Sequence, residues 1–458
     1  MITKNYVAMD FGASNGRGMI GRFNGKTIKT EELYRFENHL YQLRNTCYWD
    51  VLALVRHCKH ILSCTVANGI KADGIGIDTW GLDYGLLDRN GDLMGNVISY
   101  RSAKEDAAKE LLKKVESKEV FLQTGTGNLV YNTIFQLYAR KLRHDPCLEA
   151  AKTFLMLPDL LAYFLTGQGV GEYTNALTTM MVDCEKRDWA YDLLETLELP
   201  TQMLPVLVAP STKLGCLTST VQAETGLGAV PFYTVATHDT ASAIAAVPAH
   251  TAEFAYISSG TWSLIGTQCD KPILSEAAFL TGYSNEGSLQ GGYRLNKNIM
   301  GLALIQACSA VWNRGSQKYS WDDIVLAAKQ AKPFQRFLNT DAPCFMEPSQ
   351  ILQKINRLCA ESNQSMPETM GEYARCLYEN LAMRYRQELA VLEHLTGTRY
   401  DVLHIVGGGC KNSLLNQFTA DAIGRPVYAG PVEGACMGNA LSQAIAQGEL
   451  ADVTQLRQ

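Results

Sequence analysis

The chain of 458 residues is 47% hydrophobic and 19% charged, ordinary globular usage that excludes a disordered, collagenous or coiled-coil protein. Its 41 basic and 46 acidic residues leave a net charge of −5, so no global basic field is present to attract nucleic acid or an anionic membrane. The length exceeds what one hydrophobic core supports, and two domains are expected.

Lys4 and Asp10 interrupt the first residues, which leaves no apolar stretch of signal-peptide length. No uninterrupted apolar run reaches the roughly 18 to 20 residues of a membrane helix. Thirteen cysteines lie scattered without a CxxC pair, against a zinc ribbon or a secreted disulfide framework. Reduced thiols and a cytoplasmic protein are expected.

In chain order, the first predicted strand is Tyr6 to Asp10, followed by the turn Phe11-Gly-Ala-Ser-Asn-Gly-Arg17 and a second strand to about Phe23. His57, His60 and Cys64 share helical spacing, but Arg56 and Lys59 beside them read as a solvated helix face rather than a metal site. Ile75 to Asp88 reads as two strands joined by Asp78-Thr-Trp80-Gly81, where Trp80 suits either the core or the face of a sugar. Helices are expected at about Ala103 to Lys118 and Ile134 to Arg143. A strand from Phe232 to Ala236 then meets the polar corner Thr237-His-Asp-Thr240 and a helix of small residues. A boundary near Pro248 divides the chain into domains 1–247 and 248–458.

Beyond it, Phe254 to Ser258, the turn Ser259-Gly-Thr261 and Trp262 to Gly266 repeat the first hairpin, with Asp10 aligned on Ser258. Either hairpin alone is also an ordinary glycine turn. Pro343 to Ser365 is mixed and broken by proline, as a surface excursion would be. A long amphipathic helix, about Pro367 to Thr396, is stopped by Gly397. The strand Val402 to Val406, Gly407-Gly-Gly409 and a helix from Leu414 to Ala422 complete an α/β grammar.

Neither a Walker loop nor a G-x-G-x-x-G opening a helix occurs, so a bound nucleotide would rest on another device. Without side chains at Gly12 and Gly260, backbone N–H groups can approach phosphate oxygens closely. Asp10, at a strand end, suits a hydrated Mg²⁺, with Arg17 and Thr261 as further donors. Gly407 to Gly409 would let a flat adenine ring lie against backbone. Asp239 has two compatible readings: a base accepting a hydroxyl proton during phosphoryl transfer, and a cap for the helix that follows.

These pieces, taken in order, resemble the FGGY family of carbohydrate kinases, over almost the whole chain. Asp10 to Arg17 and Ser258 to Ser263 resemble its two phosphate hairpins, and Thr237-His-Asp-Thr-Ala241 its catalytic corner. Ile77 to Gly81, Tyr131-Asn-Thr133, Asn285-Glu-Gly287, Lys297 to Gly301, His404 to Cys410, Gly430-Pro-Val-Glu433 and Gly438-Asn439 also fit. The resemblance implies an actin-like ATPase (ribonuclease H-like) α/β fold, two similar domains with a central cleft. It implies Mg²⁺- and ATP-dependent phosphorylation of a ketose at its C1 hydroxyl. ATP would meet Ala13, Ser14, Asn15, Gly16, Arg17, Thr261, Gln306 and Gly408, with Asp10 reaching the metal through water. The sugar would meet Gly81, His238, Asp239, Thr240 and Asn298, with Asp239 as proton acceptor.

Within the family, the motifs point to a 6-deoxy-ketohexose, L-rhamnulose ahead of L-fuculose. Three departures from the usual pattern fall on the expected sugar side: Tyr84-Gly85 after Trp80-Gly-Leu-Asp83, Tyr100-Arg-Ser-Ala-Lys104, and Gly125 to Val130. Gly85 in particular is expected to enlarge nearby space. An actin- or chaperone-like ATPase without sugar chemistry is the reading from another class. Partners are ATP and a small ketose, without nucleic acid or membrane, in a monomer or homodimer; a Cys359–Cys376 bond stays open.

Overall fold

The computed structural model describes residues 3–103, 105–127, 129–251, 253–347 and 349–457. Contacts divide the chain into two compact units, Met1–His250 with Gln268–Leu295 and Glu433–Gln458, and Thr251–Thr267 with Asn296–Val432. A single cut between residues 247 and 248 follows the chain, whereas this division follows packing.

In the first unit, strands β1 (Lys4–Phe11), β2 (Asn15–Phe23) and β3 (Ile28–Glu37) are followed by helix α1 (Val51–Ala67) and strand β4 (Gly74–Thr79). Strands β5 (Lys213–Cys216) and β6 (Pro231–Tyr233) then lead into helix α2 (Asp239–Ala245). The sheet order is β5-β6-β4-β1-β2-β3. β1 runs antiparallel to β2 and parallel to β4. Every residue of β4 is buried, as a parallel strand covered on both faces requires. The α1 helix starts where Asp50 accepts the N–H of Ala53 at 3.0 Å, and its Leu54, Cys58, Ile61 and Leu62 recur on one buried face. His57 lies stacked on Phe36 at 3.8 Å and bonded to Tyr34, so it is tied to β3 rather than fully solvated.

The second unit repeats this plan. Strands β7 (Ala255–Ser259), β8 (Trp262–Cys269) and β9 (Tyr293–Met300) precede helices α3 (Ala303–Trp312) and α4 (Met370–Thr396). Strands β10 (Leu403–Val406) and β11 (Val427–Ala429) follow. Their order, β9-β8-β7-β10-β11, is that of β3-β2-β1-β4-β6. Again the first strand is antiparallel to the second and parallel to the fourth. The doubled α/β fold expected from the sequence is present. A Thr369–Glu372 capping box opens α4 and Gly397, at φ 67°, closes it.

Helix α5 (Gly434–Ala446) belongs to the first unit, where it lies against α2. A Cβ at Gly438 would sit 1.8 Å from the Ser242 carbonyl oxygen, so only glycine permits that approach.

Two expected elements differ. The helix Ala103 to Lys118 is two helices, Glu105–Leu111 and Ser117–Thr124, and Lys104 lies outside the described residues. The excursion after Pro343 contains the helix Ile351–Glu361, which buries Ile351, Ile355 and Cys359. Its apolar residues recur every four, a period hidden by the flanking prolines. Cys359 and Cys376 are both free thiols.

Candidate active site

At the end of β1, Asp10 faces Arg17 across the hairpin and Asp78 on β4. Arg17 donates to Asp10 Oδ2 from Nε at 3.0 Å and Nη2 at 2.8 Å, and pairs through Nη1 with Glu433. Burial opposes the guanidinium charge, but Asp10 and Glu433 override it and hold Arg17 more firmly protonated than usual. The turn between the strands is closed by Gly12 N–H donating to the Asn15 carbonyl at 2.9 Å. Asn38 fixes it from outside, through Nδ2 to the Gly12 carbonyl and its own N–H to that of Ser14. Ser14 and Asn15 remain exposed, whereas Gly16 is packed where a Cβ would meet the Phe36 ring at 2.2 Å.

Asp239 is the first residue of α2; the cap position falls to His238, whose side chain makes no capping bond. Asp239 Oδ1 accepts from Thr240 N–H at 2.5 Å and Thr240 Oγ1 at 3.1 Å. Burial pushes the Asp239 carboxyl above the usual range; His238 opposes this and Asp10 adds to it. His238 Nε2 is 3.7 Å from Asp239 Oδ1, while Nδ1 lies 3.2 Å from Glu286 Oε2 and 3.1 Å from Arg294 Nη2. Glu286 and the fully buried Arg294 are themselves paired at 2.8 Å. The structure thus adds Glu286 and Arg294 to the corner. The sequence contained the Asn285-Glu-Gly287 motif, but no local signal assigned these two a role.

Further buried carboxyls surround this corner. Asp78 is fully buried, with Oδ2 accepting from Asn439 Nδ2 at 2.6 Å and Oδ1 without a hydrogen-bond partner. Burial and the neighbouring Asp10 hold its carboxyl well above the usual range. Asp10, Asp78 and Asp239 therefore interact with one another beside Arg17 as a close cation, and of the three Asp10 carries the direct ion pair. Among the described residues, no three His, Cys, Asp or Glu side chains form a set that could hold a metal directly.

In the second unit, the hairpin closes one residue sooner, with Gly260 N–H donating to the Trp262 carbonyl at 2.9 Å. Its carbonyls are held by the start of α3, where Leu302 N–H meets Gly260 and Ala303 N–H meets Thr261. Thr261 Oγ1 donates to Gln306 Oε1 at 3.2 Å, so these two expected ATP contacts are neighbours. Gly407 and Gly409 pack against Ser259, at 3.0 and 2.1 Å from a built Cβ, whereas Gly408 is exposed with open space around it. Asn298 is exposed on β9. Ala13 to Arg17, Gly81 and His238 to Thr240 thus belong to the first unit, and Asn298, Thr261, Gln306 and Gly408 to the second.

The expected room at Gly85 is not there: a Cβ would meet Leu160 Cδ2 at 2.5 Å. The glycine makes way for a core leucine. Tyr84 is buried against Phe154, and its hydroxyl faces Arg140. Trp80 is also core, 4.4 Å from the Trp49 ring, and both indoles donate to the buried Asp83, at 2.7 and 2.6 Å. Gly81 is packed against Thr178 Oγ1. Asn128, in the third departing stretch, lies outside the described residues.

Comparison with known proteins extends these observations. Residues 5–245 match the N-terminal domain, and residues 255–447 the C-terminal domain, of the FGGY family of carbohydrate kinases. A rhamnulokinase of Bacteroides thetaiotaomicron is 41% identical over 99% of this chain and 93% of its own length. One from Enterococcus faecalis is 40% identical over 99% and 92%. Among solved structures, a xylulose kinase from Rhodospirillum rubrum matches with a TM-score of 0.80 at 19% identity, over 99% of this chain and 92% of that one. A Plasmodium falciparum glycerol kinase with ADP matches with a TM-score of 0.75 at 15% identity, over 97% and 90%. These neighbours share the two-domain actin-like ATPase fold, and the chain belongs to the FGGY family of carbohydrate kinases.

Proposed function

We propose that the protein transfers the γ-phosphoryl group of ATP to the C1 hydroxyl of L-rhamnulose. The reading is carried by Asp239, a carboxylate beside His238 and close enough to Asp10 for the two charges to interact. The similarity to rhamnulokinases along the whole chain supports the choice of sugar. So does the packing at Tyr84 and Gly85, which turns one of the three departures from the family pattern into a core substitution.

In this reading the ketose rests on Gly81, His238, Asp239, Thr240 and Asn298. Asp239 takes the proton of the C1 hydroxyl as that oxygen bonds to the γ-phosphorus; the bond to the β,γ-bridging oxygen breaks and ADP leaves. The hairpin amides, Ala13 to Arg17 with Thr261, and Gln306 and Gly408 hold ATP. Asp10 would hold Mg²⁺ through water, and the ion would supply charge neutralisation to the phosphate oxygens. Excluding water matters, because water competes as phosphoryl acceptor. The test is an ADP-coupled assay over L-rhamnulose, L-fuculose, L-ribulose and D-xylulose. The highest kcat/KM should fall on L-rhamnulose. ADP release indifferent to every ketose but stimulated by peptides would favour the chaperone-like reading instead.

A further inference from the structure

We infer that Glu172 is the positioning residue of the Asp239 corner, acting through Thr237 and His238. The inference rests on the reading of Asp239 as base. Glu172 is fully buried, and 65 residues of chain separate it from Thr237. Its Oε2 accepts from Thr237 N–H at 3.1 Å, Thr237 Oγ1 at 2.6 Å, Thr174 Oγ1 at 2.6 Å and Asn175 N–H at 3.3 Å. Its Oε1 accepts from Thr174 N–H at 2.9 Å. Capping the short helix Tyr173–Ala176 accounts for the N–H groups of Thr174 and Asn175. The two bonds to Thr237 serve the corner.

The remaining backbone groups of the corner are held from both sides. Thr237 O accepts from Thr79 N–H at 2.9 Å, at the end of β4, and from Asn175 Nδ2 at 3.3 Å. His238 N–H donates to Thr174 Oγ1 at 3.3 Å. Asp239 comes next in the chain, so the direction in which its carboxylate leaves the backbone is set by these bonds. A carboxylate offers acceptors at both oxygens, which suits five converging donors; burial raises this carboxyl, and the donors from Thr174 and Thr237 oppose that rise. A glutamine would turn an N–H toward at least one of these donors. Glu172 is itself anchored, because its N–H donates to both oxygens of the buried Asp159 at 3.2 Å.

The test compares Glu172→Gln with Leu160→Ala, a loss of buried packing in the same unit beside Gly85. Assays run well below both melting temperatures, with L-rhamnulose and ATP. Glu172→Gln should lower kcat by roughly 10- to 100-fold while leaving KM for ATP within about twofold, because the loss is one of positioning. Leu160→Ala should keep kcat within about threefold at an equal or larger fall in Tm. Amide hydrogen exchange gives a readout that needs no activity: residues 237–245 should lose protection in Glu172→Gln and keep it in Leu160→Ala. Equal kcat losses in the two variants, or an undisturbed corner in Glu172→Gln, overturn the inference. Failure of the function reading would show separately, as an active Asp239→Asn.

Discussion

The two hairpins share one pattern of strand pairing and carry different chemistry. In each, a glycine N–H closes the turn, one strand pairs antiparallel and another parallel, and neighbouring groups pin the turn carbonyls. The first holds Asp10, Arg17 and Glu433 in one ion-paired group. At the positions of Asp10 and Arg17, the second has Ser258 paired across with Leu264, and Ser259 and Ser263 follow toward the turn. Duplication thus preserved the cradle, while charge was placed in one copy. That asymmetry puts the ion-paired side chains in the first hairpin and hydroxyls in the second.

The largest effect is expected at Asp239, the proposed base, which lies in the first unit. Asp239→Asn should lower kcat by roughly 100-fold or more with little change in ATP binding, read by steady-state kinetics and nucleotide titration. Near-normal turnover would remove the assignment. Because burial lifts this carboxyl, and the base must be ionised, activity should fail on the acid side at a pH above the usual aspartate value. A smaller effect sharpens the contrast between the hairpins. Asp10→Asn should reduce kcat/KM for ATP by roughly 30-fold, and Ser258→Ala by less than about threefold. Equal losses would mean that charge is not what distinguishes them.

Smaller again is the effect expected at the second turn. A Cβ on Gly260 meets nothing closer than the Trp262 carbonyl oxygen at 3.7 Å, so Gly260→Ala should fold with an unchanged Tm. If phosphate approaches that backbone, KM for ATP should nevertheless rise by roughly fivefold. An unchanged KM would take the nucleotide away from this turn. Gly409→Ala is the counterpart that tests packing, since its Cβ would collide with Ser259.

The hairpins were legible because their signals are local: a glycine turn between alternating apolar runs needs no partner to be read. The alignment of Gly12 with Gly260 survived because both turns close through the same N–H. What stayed hidden depends on distant chain. Nothing local in Gly434–Ala446 says that the helix packs on α2 and sets Asn439 on Asp78. Glu172 likewise reads as a helix cap until Thr237 arrives from the far side of the sequence. Trp80 stayed open between core and sugar face because polar groups flank it in sequence, and Gly85 promised room because it departs from the family pattern, whereas in space their neighbours are Trp49 and Leu160.

Buried acids extend the contrast between the units. In the second, Glu388 is met by Lys297 at 2.9 Å and Arg384 at 2.7 Å, and Glu379 by Arg375 at 2.7 Å. In the first, Asp83 is met by the indole N–H groups of Trp49 and Trp80 and by Tyr100 N–H at 2.6 Å. Those donors pull its carboxyl down, but burial outweighs them and raises it to about 7. The folded state therefore holds a proton that the unfolded chain has already released above its ordinary value near 4. That contribution to stability is complete in acid and is lost as pH rises through about 7. Between pH 6 and pH 8, Asp83 should cost the native state about 1.4 kcal/mol. Urea unfolding across that range should show the slope in the parent protein, and Asp83→Asn, which does not titrate, should lack that part of it. A difference between the two proteins that stays constant with pH would mean that the three N–H donors keep Asp83 ionised throughout, and that the first unit buries a true anion without a cation at contact distance.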